Sequence, residues 1–95
     1  MSELDKLEQY LKEHKINYKR FDQELDKYGF DIHKVVISDD KDEYLWDAIC
    51  HRGSYGYEKG LLEIYGTLVN EEKDGDSVVG WLTAEDVIER IEQQT

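Results

Sequence analysis

The spacing of apolar positions predicts a helix at each end of the chain. From Ser2 to about His14, leucine and tyrosine recur every three or four residues, and the segment begins with capping-box spacing. Thr83 begins a second capping box. The valine and isoleucine stripe that follows predicts a last helix ending near Gln93.

Alternation of apolar and polar residues predicts antiparallel strands. The clearest strand runs from His33 to Asp39. An acidic turn at residues 40–42 joins it to a second strand from Glu43 to about His51, and so short a connection implies a hairpin. Apolar runs at Ile16–Asp22 and Val78–Leu82 predict two short strands, the later one at a sheet edge.

The centre of the chain is rich in glycine. The turn at residues 53–56 breaks the second strand, and an apolar stripe from about Tyr57 to Val69 predicts a helix that contains, or stops near, Gly66. Residues 23–31, broken by Gly29, and residues 70–77 predict loops. The predicted order is α-β-β-β-α-α, and it describes one α+β domain over residues 1–95, with about three helices on one face of an antiparallel sheet of two to four strands.

Composition favours a single folded domain in a reducing compartment. Of the 95 residues, 39% are hydrophobic and 12% aromatic, which is enough for one packed core. A single cysteine excludes an intrachain disulfide, and no secretory signal or run of about 20 apolar residues occurs. We therefore expect a cytoplasmic protein that does not enter membranes.

The charge pattern bears on the partner. The formal charge is -11, and two acidic blocks, residues 21–47 and 70–95, flank a neutral centre. Such a field repels nucleic acid and anionic membranes and attracts a basic protein surface, although simple solubility explains it equally well. The candidate protein-binding residues are acidic residues of the two predicted turns and loops, together with two tyrosines: Asp39, Asp40, Asp42, Glu43, Tyr55, Tyr57, Glu71, Glu72, Asp74 and Asp76.

The neutral centre supplies the other candidate site. Its candidate ligand-binding residues are Cys50, His51, Arg52, Gly53, Ser54 and Tyr55. A nearby cation, Arg52, and a predicted helix start would both favour a reactive thiolate at Cys50. Strand alternation instead places Cys50 on the same face as Trp46, in the core, where a cysteine is usually inert. The glycines favour either an anion-binding backbone or a tight turn. Tyr55 and Tyr57 beside Arg52 and Trp46 have the composition of a binding hot spot, or pack the sheet end.

Metal and cofactor sites are not predicted. One cysteine and three scattered histidines do not supply the paired ligand spacing of zinc sites. The acidic turn lacks the pattern of a calcium loop, and the glycines match no nucleotide-binding motif.

The stretch WDAICHRGSYGYEKGLLEIYG, followed by VVGWLTAEDVIERI, resembles small proteins encoded in prophages and other mobile elements of low-GC Gram-positive bacteria. The likeness covers about residues 33–92, and ICHRGSYG, GLLEIYG and GWLTAEDV carry it. That family has no assigned activity. The resemblance implies a bacterial or phage cytoplasmic origin and assigns no catalytic residue.

Three functional hypotheses follow. The favoured one is a non-enzymatic acidic protein that binds a basic host protein, in its sharper form by imitating DNA phosphates to inhibit a nucleic-acid-binding or defence protein. The second is a small-ligand-binding protein or enzyme centred on Cys50, His51 and Arg52. The third is a structural homodimer that buries apolar residues of the predicted 57–69 helix.

Overall fold

The computed structural model describes residues 1–23 and 31–94, which form an α+β domain. The predicted fold class is confirmed, with more strands than expected. The helices are α1 (Glu3–Glu13), α2 (Glu71–Asp74) and α3 (Ala84–Gln93), and the strands are β1 (Tyr18–Gln23), β2 (Ile32–Ser38), β3 (Tyr44–Ile49), β4 (Leu62–Gly66) and β5 (Val78–Leu82). Most of the predicted loop at 23–31, including Gly29, lies outside the described residues.

The five described strands form one antiparallel sheet in the order β1-β2-β3-β4-β5. Each strand pairs with the next along the chain, so the sheet is a meander and successive connections alternate between its two ends. The hairpin predicted between residues 33 and 51 is the β2–β3 pair. Among the described residues, no helix is long and apolar enough to cross a membrane.

Helices α1 and α3 pack together on one face of the sheet, where the core lies. Capping boxes at Ser2 and Thr83 fix their first turns, as predicted. Leucines from α1 and Val87 and Ile91 from α3 meet the inward side chains of the strands. The buried core is Leu4, Leu7, Leu11, Val35, Ile37, Trp46, Ala48, Leu62, Ile64, Leu68, Ala84, Val87 and Ile91.

The helix predicted from about Tyr57 to Val69 is wrong. A single 3-10 turn covers Tyr57–Lys59 and stops at Gly60, whose φ is +70°. Strand β4 follows, with Leu62 and Ile64 pointing alternately into the core. The spacing of the apolar residues in this segment fits both the helical period of about 3.6 residues and the strand period of two. Pairing with β3 and β5 satisfies backbone N–H and C=O groups that a short helix interrupted by glycine would leave unpaired. The element order therefore also differs from the predicted one, because strands and helices alternate after β3.

The predicted loop at residues 70–77 contains the short helix α2. The side chain of Asn70 accepts the backbone N–H of Lys73, and Gly75 ends the helix with φ of +77°. A cap and a C-terminal glycine four residues apart make this one-turn helix. The segment is polar, as predicted. The prediction that it has no regular secondary structure is wrong.

Candidate functional site

The topology brings two acidic connections to the same end of the sheet. The β2–β3 turn, residues 39–43, lies where β3 begins, and the β4–β5 connection, residues 67–77, starts where the neighbouring strand β4 ends. The backbone N–H of Thr67 donates to the carbonyl of Leu45 in β3 at 2.9 Å, which places the start of the second connection beside the start of β3. Adjacent strands lie about 4.8 Å apart, so these connections form one surface, here called the acidic end (residues 39–43 and 67–77).

The β2–β3 turn is held by one of its own carboxylates. Asp39 accepts the backbone N–H groups of Lys41 and Glu43, each at 2.9 Å. Its role is therefore structural, since it satisfies backbone donors that the tight turn leaves unpaired. Asp40, Asp42 and Glu43 are exposed.

The second connection is held by α3. The guanidinium of Arg90 contacts both carboxylate oxygens of Asp74 at 2.9 and 3.0 Å and the carbonyl of Leu68 at 3.3 Å. The Arg90 guanidinium lowers the pKa of the Asp74 carboxyl below its usual range. This connection is thus ordered, and its Glu71, Glu72 and Asp76 remain exposed.

The acidic end carries most of its charge on exposed side chains. Each of its two connections has four carboxylates and one lysine, a formal charge of -3 for each. Six of the eight carboxylates are exposed: Asp40, Asp42, Glu43, Glu71, Glu72 and Asp76. Carboxylates crowded on one rigid surface produce a negative potential that reaches about 8–10 Å at physiological salt.

An exposed aromatic side chain borders the acidic end and was not singled out from the sequence. Tyr44, at the start of β3, is 46% exposed and lines a surface cleft of about 420 Å³ together with Glu71. An aromatic face beside carboxylates suits an arginine or lysine side chain, which binds both. The alternation of residues around Tyr44 predicts a strand, but it does not show which end of the strand is exposed. The exposure of Tyr44 could therefore not be predicted from the sequence.

The glycine-rich segment lies at the opposite end of the sheet and forms a closed turn. Ser54 Oγ donates to the carbonyl of His51 at 2.7 Å and accepts the N–H of His51. The N–H groups of Ser54 and Tyr55 donate to His51 O and Glu63 Oε1. Since these amides already have acceptors within the protein, the geometry favours the tight-turn interpretation of Gly53 and Ser54 over anion binding.

Cys50 and His51 are not brought together. Cys50 faces a cleft of about 550 Å³ on the helix side of the sheet, lined also by Arg20, His33 and Tyr57. His51 comes next along the chain and lies near Asp47, which is on the other face of the sheet. Burial, with a smaller contribution from Asp31, raises the pKa of the Cys50 thiol above its ordinary value of 9.0. The thiol is therefore protonated at neutral pH, which is unfavourable for a nucleophile.

The cleft beside Cys50 contains charged groups that pair with one another. His33 Nδ1 lies 2.7 Å from Asp22, and Tyr57 donates its O–H to both oxygens of Asp31 at 3.0 and 3.1 Å. Arg20 donates to Asp22 and to carboxylates of α1. Sequence inspection missed this network because two of its contacts, His33–Asp22 and Tyr57–Asp31, join residues 11 and 26 apart along the chain.

The predicted aromatic grouping is not formed as expected. Trp46 is in the core, and Tyr57 is half-buried and bound to Asp31, so neither joins a surface with Tyr55. Tyr55 is 58% exposed, and its carbonyl accepts the N–H of Trp81, itself 54% exposed. The structure thus separates Tyr55 and Tyr57 from the acidic candidates, which lie at the other end of the sheet.

Within residues 1–23 and 31–94, no group of three or more histidine, cysteine or carboxylate side chains is arranged to hold a metal ion. Comparison with protein families, with curated proteins and with solved structures found no match.

Proposed function

We propose that this protein is a non-enzymatic binding protein that uses its acidic end to engage a basic protein surface. The observation that carries the proposal is the position of the two acidic connections, which are distant in sequence and adjacent at one end of the sheet. A compact negative surface steers a positively charged partner and selects against negatively charged ones.

Order at the acidic end supports recognition. Asp39 fixes one connection through backbone N–H groups, and the Arg90–Asp74 ion pair fixes the other. A surface that is already ordered loses little conformational entropy on binding, so more of the electrostatic attraction contributes to affinity. Tyr44 adds an aromatic side chain of the kind that dominates binding free energy at interfaces.

In its sharper form, the proposal is imitation of DNA. A duplex presents one phosphate charge for about every 1.7 Å of its axis, and nucleic-acid-binding proteins meet it with lysine and arginine. Six exposed carboxylates on one end offer such a protein an alternative set of anions. The partner class is a basic nucleic-acid-binding or defence protein, and the activity is inhibition, which suits the phage or mobile-element origin implied by the resemblance.

The test is capture of a partner followed by competition. The immobilised protein is exposed to an extract of its native host at low salt, the retained protein is purified, and its binding is measured across a salt series. We expect a basic partner whose affinity falls steeply from about 50 to 500 mM salt, and which duplex DNA displaces competitively. An affinity that does not change with salt concentration contradicts the proposal. If the partner binds DNA and this protein at the same time, the imitation of DNA is contradicted.

The cleft beside Cys50 is the observation that favours the second candidate, binding of a small ligand. Its volume of about 550 Å³ is in the range of small-molecule sites. Its charged side chains are already paired, and the raised pKa of Cys50 disfavours catalysis by the thiol. An uncharged ligand is therefore the better fit, and we rank this candidate below the acidic end.

A further inference from the structure

The sheet has a second face, on the side away from α1 and α3. Strand pairing places two rows of side chains there that each cross at least four strands, and a shorter pair, Gln23 and Ile32, lies beside them. The two longer rows hold nine residues, here called the outer face: Lys19, Phe21, Lys34, Val36, Asp47, Ile49, Glu63, Tyr65 and Val78. One row runs Phe21, Lys34, Ile49, Glu63, and the other runs Lys19, Val36, Asp47, Tyr65, Val78. In the described part of the chain, α1 and α3 both pack on the opposite side.

The outer face mixes apolar and charged side chains in an orderly way. Val36 and Ile49 lie near its middle, and Phe21 and Tyr65 are about half exposed, at 45% and 51%. Two lysines and two carboxylates balance, so the face is formally neutral although the whole chain carries -11. A neutral, partly apolar face on an acidic protein is the surface that a second acidic copy can approach without strong repulsion.

The charges divide the outer face into two halves. Lys19 and Lys34 lie on β1 and β2, whereas Asp47 and Glu63 lie on β3 and β4. An interface with twofold symmetry uses the same patch on both copies, so the patch must be complementary to itself. A twofold axis within the interface, parallel to the strands and between β2 and β3, places the positive half of each copy over the negative half of the other.

We propose that the outer face is the interface of a homodimer, in which Lys34 of each copy meets the carboxylates of Asp47 and Glu63 of the second copy. Val36 and Ile49 lie at the centre and Phe21 at the flank. The acidic end lies beyond the ends of the strands, and an axis parallel to the strands sets the two acidic ends of the dimer side by side. Their mutual repulsion keeps the dimer weak and grows as the salt concentration falls. The exposed carboxylates of the acidic end take no part in this interface, whereas Tyr65 of the outer face lines the same cleft as Tyr44. This dimer replaces the one through residues 57–69, which form no long helix.

The surroundings of Asp47 agree with this arrangement. This carboxylate lies half-buried in the middle of the outer face, and burial raises its pKa, while Lys34 and a hydrogen bond with Tyr44 act in the opposite direction. A carboxylate that its neighbours have already partly desolvated loses little more hydration when a second sheet covers it. A lysine from the second copy then adds a favourable charge.

The size of the face sets the expected strength. Strands about 4.8 Å apart and five to seven residues long give a face of roughly 20 by 20 Å, which is small for a dimer interface. We therefore expect a weak dimer that forms at micromolar or higher concentration. Sedimentation velocity between about 10 μM and 1 mM covers this range.

The test compares four variants with the wild type. Lys34→Glu and Ile49→Asp should each weaken dimerisation at least about tenfold, by like-charge repulsion and by a buried charge. The double variant Lys34→Glu with Glu63→Lys should recover part of the affinity that Lys34→Glu loses, because the exchanged pair attracts again across the interface while Asp47 still repels the new carboxylate. Lys12→Glu, on exposed helix surface, changes the net charge as Lys34→Glu does and should leave the dimer unchanged.

Circular dichroism checks that each variant is folded. If Ile49→Asp does not fold, the Lys34 variants alone test the proposed interface. A wild type that stays monomeric at 1 mM overturns the proposal, as does a dimer that Lys34→Glu leaves unchanged. A double variant that is folded and dimerises no better than Lys34→Glu overturns the twofold arrangement described above.

Discussion

Arg90 on α3 holds Asp74 on α2 by a two-pronged ion pair, with Nη1 2.9 Å from Oδ2 and Nη2 3.0 Å from Oδ1. Both side chains are partly buried, and they are sixteen positions apart along the chain. The pair therefore joins the acidic end to the helical layer. It makes Asp74 part of the scaffold, and leaves the exposed carboxylates around it for a partner.

Loss of this pair should destabilise the protein in a pH-dependent way. Asp74→Asn should lower the free energy of unfolding by about 1–2 kcal/mol at pH 7, because Arg90 loses a charged acceptor. Arg90 lowers the pKa of Asp74 below 3.8, so the stabilisation is complete above that value and is lost as pH falls through the lower folded pKa. Urea denaturation at pH 7 and pH 3 checks this.

The control for that measurement is Glu72→Gln, an exposed carboxylate in the same helix. It should change the free energy of unfolding by no more than about 0.5 kcal/mol. If Asp74→Asn costs as little as this control, or if its effect does not shrink at pH 3, the ion pair does not stabilise the connection.

Gly66 should tolerate no side chain. Its φ is +98°, and a Cβ there would press on the carbonyl of Leu45 and lie 2.8 Å from Trp46 Cα. Gly53 has a similar φ of +94° with nothing within 4 Å of its Cβ position. Both Ala variants incur the left-handed strain of about 1–2 kcal/mol, and Gly66→Ala should cost at least about 2 kcal/mol more. Equal melting temperatures would show that the close approach is not as described.

Lys15 occupies a position that favours glycine. It follows α1 with φ of +55°, and the N–H groups of Lys15 and Ile16 donate to the carbonyls of Lys12 and Leu11, which is the Schellman pattern. Lys15→Gly should therefore raise the free energy of unfolding by about 0.5–1 kcal/mol. Lys12→Gly, inside the helix, should lower it by about 1 kcal/mol. A destabilised Lys15→Gly variant would contradict this helix end.

Cys50 should react slowly in the folded protein. Burial and Asp31 raise its thiol pKa, so alkylation by iodoacetamide at pH 7 should be at least about tenfold slower than in urea, with a pH midpoint above 9.0. Asp31→Asn should lower that midpoint, whereas Glu58→Gln, exposed beside the same cleft, should not. Fast labelling with a midpoint below 8 would favour the thiol-centred hypothesis.

Local signals predicted those elements whose pattern has one interpretation. Capping boxes at Ser2 and Thr83 located α1 and α3, and alternation around Val35 located the β2–β3 hairpin. The segment from Tyr57 to Val69 was misassigned because Leu62 and Ile64 satisfy strand and helix periods alike. Only pairing with strands remote in sequence, with Gly66 against Trp46, decides between them.

The site was predicted in composition and not in arrangement. Counting charges identified residues 39–43 and 71–76 as acidic, while their meeting at one end follows from the meander, which required β4 to be recognised as a strand. The cleft beside Cys50 was missed for the same reason, since Asp31 and Tyr57 meet only across the sheet. Functional groups that are close together in the sequence could be predicted. Groups brought together by pairing of strands distant in the sequence could not.

The most direct test of the acidic end compares two double variants that lose the same charge. One neutralises the acidic end at Glu71→Gln and Glu72→Gln, and the other neutralises exposed glutamates toward the opposite end of the sheet at Glu58→Gln and Glu85→Gln. Losing two carboxylates takes the formal charge from -11 to -9 in both. Differences in affinity then reflect position and not total charge.

The measurement is the Kd for the captured basic partner at about 100 mM salt, by calorimetry. We expect the acidic-end variant to bind at least about tenfold more weakly than the wild type, and the matched variant to stay within about threefold. Equal losses in the two variants would mean that total charge drives binding, and no loss in the first would contradict the assignment of the acidic end as the binding surface.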